Sequence, residues 1–170
     1  IKPIKAYNSR GLWLNPLKQI SKEAELLKNE GNFSALKLRI GRKNIEDDIK
    51  AFNEVKKGAG DNIIILSDFN QCFTYKEAVR RCKALDELGF FWFEEPIKYN
   101  DYINLKKLCR DIKTPITIGE NFHGNTDLKI ALDNKSCDMI MPDLMRIGGV
   151  SGWLRAAAIA EAYNMEFSTH

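Results

Sequence analysis

The chain has 170 residues, 44% of them hydrophobic and 10% aromatic, enough for one ordinary domain with a buried core. Its 26 basic and 23 acidic residues are interspersed, with no basic run or Arg-rich stripe, so the net charge of +3 gives no footprint for nucleic acid. No window approaches the roughly 20 apolar residues that span a bilayer, and the opening IKPIKAYNSRG lacks a signal-peptide core; Cys72, Cys82, Cys109 and Cys137 have no CxxC or zinc-type spacing, so reduced thiols, the cytoplasm and no membrane partner are expected.

Short apolar runs alternate with longer amphipathic stretches along the whole chain. In order, strands are predicted over Ile4 to Tyr7, Ala35 to Ile40, Ile63 to Ser67, Phe90 to Phe93, Ile116 to Gly119, Met139 to Met141 and Glu166 to Thr169. Apolar residues at three- and four-residue steps predict helices over Ile45 to Lys57, Tyr75 to Leu88, Tyr102 to Asp111, Thr126 to Asn134 and Ser151 to Tyr163, with Leu17 to Asn29 a sixth of weaker pattern. Thr74 with Glu77 forms a capping-box pattern, Gly89 follows a helix, and Pro115 opens a strand.

This alternation is that of a parallel sheet with crossover helices. No strand is followed by GxGxxG, so a dinucleotide-binding open sheet fits less well than a TIM-type (β/α) barrel. Seven strands and six helices are one strand short of closure. Residues 1–170 are therefore expected to be a partial barrel domain from a longer protein.

Acidic residues recur at the ends of predicted strands once per strand-helix unit: Asp68, Glu94 and Glu120, with 94 − 68 = 26 and 120 − 94 = 26. At the carboxyl ends of neighbouring barrel strands such residues face one mouth. Three carboxylates without Cys or His close by suit a hard divalent cation, with Mg²⁺ the natural choice. One at a time, each could equally be a helix cap or surface ion pair. Asp143 and His170 continue the rhythm, with 170 − 143 = 27. A carboxylate one unit from an imidazole can fix its tautomer and raise its basicity, as in a general-base dyad. His123 has no partner in register and reads as structural. On the other flank, Lys37 and Arg39 alternate with apolar residues in ALKLRIG and so share one face of their strand. Buried cations need anions, here the acids and a substrate carboxylate.

With LKLRIG, LSDFNQ, WFEEP, IGENF, MPDLMRIGGVSGW and STH in order and in register, the chain resembles the mandelate racemase subgroup of the enolase superfamily. The resemblance covers nearly the whole chain. It implies the superfamily's C-terminal barrel, with the N-terminal capping domain and the final barrel strand absent from this segment. It also implies Asp68, Glu94 and Glu120 as Mg²⁺ ligands, Asp143 and His170 as the base dyad, Lys37 beside the substrate carboxylate, and Ser9 and Asn70 lining the pocket. The implied activity is removal of the α-proton of a hydroxy-carboxylate to give a metal-stabilised enediolate, by a homo-oligomeric enzyme; the isolated segment need not be active. Where racemising members carry the second lysine of Lys-x-Lys, this chain has Arg39, a poor proton acceptor and a good anchor for anions. An acid-sugar dehydratase is expected first, then a racemase or epimerase of an α-hydroxy acid, and third a non-catalytic metal-binding barrel.

Overall fold

The computed structural model describes residues 4–170. Six strands and six helices alternate: α1 (Leu17–Asn29), β1 (Ala35–Arg39), α2 (Ile45–Ala59), β2 (Ile64–Asp68), α3 (Tyr75–Leu85), β3 (Phe93–Glu94), α4 (Tyr102–Asp111), β4 (Ile116–Ile118), α5 (Asn125–Asp133), β5 (Met139–Ile140), α6 (Gly149–Ala162) and β6 (Glu166–Phe167). Every strand pairs in parallel with the next, in the order β1-β2-β3-β4-β5-β6. Sequential order with a helix at every crossover is the connectivity of a (β/α) barrel, here with β1 and β6 as the edges among the described residues.

The strand expected over Ile4 to Tyr7 does not form. Ile4 is 92% exposed, and the chain joins the sheet only at Asn8, in a parallel bridge to Leu36. Asn8 donates its N–H to the Ala35 carbonyl at 3.0 Å and accepts from the Lys37 N–H at 2.9 Å, so this segment follows β1 for about one residue pair. Among the described residues the sheet therefore has six strands instead of seven.

The period-two side-chain alternation of the strands separates two apolar layers. Leu36 and Leu38 belong to the large core between the sheet and its helices, with Ile65, Phe93, Ile116, Ile118 and Ile140. Ala35, Leu66, Trp92, Met139 and Met141 form a separate small cluster, with Tyr7 packed on it. Lys37 follows Ala35 at a two-residue step, Asp68 follows Leu66 and Glu94 follows Trp92, so the charged side chains continue the face that carries this inner cluster.

The helices bury one stripe each, as Ala51, Phe52, Val55 and Ala59 do in α2. At the start of α3, Thr74 accepts from the Glu77 N–H as the capping pattern predicts. The Glu77 carboxylate turns to Arg80 and Arg81 instead of completing the box. Fully buried Asp48 ties the turn after β1 to α3: it accepts from the N–H groups of Gly41 and Arg42 and pairs with Arg81 at 3.1 Å. Arg42 reaches from that turn to the carbonyls of Trp13 and Asn15, and the Trp13 ring lies 4.7 Å from the Arg39 guanidinium.

Candidate functional site

Asp68 and Glu94 are the last residues of β2 and β3 and lie side by side in the register of the sheet. Both are almost wholly buried, as is Lys37 on β1. The Lys37 ammonium sits between them, 3.0 Å from Glu94 and 3.4 Å from Asp68. Arg39, one pleat further along β1, places Nη1 2.5 Å from Asp68 Oδ2. The inward basic pair expected from ALKLRIG thus meets the acids of the next two strands.

Glu120 follows β4 beyond Gly119, whose φ of +144° turns the chain at the strand end. A Cβ at Gly119 would lie 2.8 Å from the Met141 backbone, so the close approach of the two strand ends requires glycine. Asp143 follows β5 and His170 follows β6. His170 Nδ1 faces Asp143 Oδ2 at 3.3 Å, and Nε2 faces Glu120 Oε2 at 2.6 Å. Glu94, Glu120 and His170 each offer a ligand atom within 4.8 Å of the others, while Asp68 is joined to this group through Lys37. The exposed His123 lies outside the group.

Electrostatics follow from this crowding. Burial first, and then Asp68, push the Glu94 carboxyl up to about 7 despite Lys37. Burial and then Glu120 raise Glu95 to about 8. Glu120 is held below its ordinary range, chiefly by the hydrogen bond with His170. His170 is raised, with Glu120 the main cause and the Asp143 hydrogen bond adding to it. Backbone donation from Arg146 is the largest influence lowering Asp143. Asp68, Glu94 and Glu120 are oxygen donors whose repulsion Lys37 and Arg39 relieve only in part, a donor set suited to a hard divalent ion.

Asn70 lies beside Asp68 with φ +46°, donating its backbone N–H to Oδ1 at 2.8 Å and its amide to Oδ2 at 3.3 Å. Ser9 is half-buried next to the Asn8 bridge. Four neighbours escaped the sequence reading. Tyr7 packs edge-on against Trp92 at 5.6 Å and donates to Met141 Sδ, with burial raising its phenol. Glu95 is fully buried, with φ +41° and Oε1 without a partner. Asn121 and Arg146 flank Glu120. The available signal was position, since Glu95 and Asn121 adjoin singled-out acids in WFEEP and IGENF, and Arg146 stands three residues after Asp143 in MPDLMRIGG.

A family model described as enolase C-terminal domain-like matches residues 19–170. The L-talarate/galactarate dehydratase of Salmonella typhimurium is 26% identical over 168 residues, covering 98% of this chain and 42% of its own. The L-Ala-D/L-Glu epimerase of Bacillus subtilis is 31% identical over 155 residues, covering 90% of this chain and 42% of its own. A solved enolase from alpha proteobacterium bal199, with bound magnesium, superposes with a TM-score of 0.96 at 45% identity, over 98% of this chain and 47% of that one. The chain thus spans less than half the length of the proteins it matches. Relatives include acid-sugar dehydratases and epimerases, and solved neighbours hold magnesium with L-glucarate or mandelic acid. This chain belongs to the enolase superfamily, in the C-terminal barrel domain of its mandelate racemase subgroup.

Proposed function

We propose that the intact protein removes the α-hydrogen of a hydroxy-carboxylate and expels a β-hydroxyl, as an acid-sugar dehydratase. Asp68, Glu94 and Glu120 would hold Mg²⁺, which when bound supplies the positive charge that makes the α-hydrogen of a carboxylate acidic. The observation that carries the reading is the asymmetry of the cluster's flanks. A basic imidazole backed by Asp143 stands at the β6 end, and an arginine pinned to Asp68 stands at the β1 end.

His170 Nδ1 faces Asp143, and Nε2, which faces Glu120 Oε2 at 2.6 Å, would take the proton as the α-carbon–hydrogen bond breaks once Glu120 turns to the metal. The electron pair left on the α-carbon forms a double bond to the β-carbon as the β-carbon–oxygen bond breaks. The departing hydroxyl takes the proton back from the imidazolium and leaves as water. The resulting enol becomes a 2-keto acid. Lys37 offsets negative charge at the acids, and Arg39 anchors an anion rather than receiving a second proton. The similarity to L-talarate/galactarate and arabinonate dehydratases supports the choice of substrate class.

A racemase or epimerase reading shares the first step, and the likeness to the L-Ala-D/L-Glu epimerase favours it as the second. A panel of sugar acids and aryl hydroxy acids in deuterated water separates the two. Dehydration yields a 2-keto acid, whereas racemisation returns labelled substrate of both configurations. Glu94→Gln is expected to abolish turnover and weaken Mg²⁺ binding measured by calorimetry; retention of both would remove the assignment.

A further inference from the structure

Glu120 is gripped at both its side chain and its main chain by two residues outside the acid set. The Asn121 side-chain amide donates to Glu120 Oε1 at 3.2 Å and to Glu95 Oε2 at 2.7 Å. The Asn121 side-chain oxygen Oδ1 accepts from Arg146 Nη1, and the same guanidinium nitrogen donates to the Glu120 backbone carbonyl at 3.2 Å. Arg146 is fixed in turn, because its N–H donates to Asp143 Oδ1 at 2.9 Å and its carbonyl accepts from the Gly124 N–H at 3.1 Å. Asp143 Oδ2 faces His170, and His170 faces the other oxygen of Glu120. The contacts close a ring: Glu120, Asn121, Arg146, Asp143, His170 and Glu120 again.

We propose that Asn121 and Arg146 are positioning residues that lock the rotation of the Glu120 carboxylate toward the cation it shares with Asp68 and Glu94. Without Asn121, only His170 would restrain that carboxylate, and it is itself the proton acceptor. With the ring intact, one oxygen is held by a neutral amide, and Arg146 anchors the strand end beneath it. Preorganisation of this kind strengthens metal binding without adding a ligand; losing such a partner typically costs about 10–100-fold in affinity. The same Asn121 amide also donates to Glu95, so it bridges that carboxylate to Glu120.

The inference rests on the metal assignment above, and its test uses Mn²⁺, which shares the oxygen preference of Mg²⁺. The intact protein is titrated with Mn²⁺ and free ion is followed by electron paramagnetic resonance, giving affinity and number of sites together. Asn121→Ala, which changes no charge, is expected to raise Kd about tenfold or more with the site number unchanged. Arg146→Lys keeps the cation and loses the fork, and should weaken binding in the same direction. The double variant should lose less than the sum of the two single ones, because both act on Glu120 and are joined by a hydrogen bond. A merely structural role predicts fewer sites at unchanged Kd, and that result would overturn the proposal. So would a Kd within about twofold of the parent in both variants. Failure of the parent to bind Mn²⁺ would overturn the metal assignment and this proposal together, whereas parental binding indifferent to Asn121 would overturn this one alone.

Discussion

At the scale of single residues, the cluster's charge balance is set by burial. Glu94 and Glu95 are held at about 7 and about 8, above the ordinary carboxylate range, because desolvation and neighbouring acids disfavour their ionised forms. The folded chain therefore keeps protons that the unfolded chain releases. Their contribution to stability is full below the unfolded carboxylate pKa and is lost as pH rises through the folded values. With chelator present, the melting temperature is expected to fall between about pH 5 and pH 9, and saturating Mg²⁺ should remove the Glu94 part of that fall. A metal-free protein whose melting temperature rises across this interval would contradict the assignment. The residues first singled out by spacing were legible because each stands at a strand end, one strand-helix unit from the next. Tyr7 and Asn121 were not, since an aromatic among apolar residues and an amide after an acid look ordinary until the chain is folded around them.

At the scale of elements, the strand ends require special backbone, and the cost of altering it is graded. Gly119 and Gly89 both have positive φ, +144° and +89°, but only Gly119 has backbone atoms within 3 Å of where a Cβ would stand. Gly89→Ala should cost about 1–2 kcal/mol for the conformation alone. Gly119→Ala adds a clash with the Met141 backbone, so chemical denaturation should show a larger loss and metal affinity should drop as Glu120 shifts. Equal losses in the two variants would show that the approach of β4 and β5 does not fix Glu120. The helices were legible from period and caps, with ends shifted by up to three residues, as α3 stops at Leu85 and not Leu88. The segment Ile4 to Tyr7 misled because a short apolar run signals a strand only if a partner lies along its length. Here the chain meets β1 at Asn8 alone.

At the scale of the whole molecule, six parallel strands in sequential order carry Lys37 and Arg39 at one flank of the acids and His170 at the other. That order turns a sequence rhythm of 26 residues into adjacency in space: a residue repeated once per unit falls on neighbouring strand ends. The contact between Glu120 and His170 was not legible, because spacing gives the strand and not the rotamer. Among the described residues no helix is long and apolar enough to cross a membrane. The most direct test of the account is the location of the ion. Crystals of the intact protein grown with Mn²⁺ should show one anomalous peak bridging carboxylate oxygens of Asp68, Glu94 and Glu120, with His170 released from Glu120 and still on Asp143. A peak coordinated by His170 with Glu94 and Glu120, leaving Asp68 on Arg39 and Lys37, would contradict it.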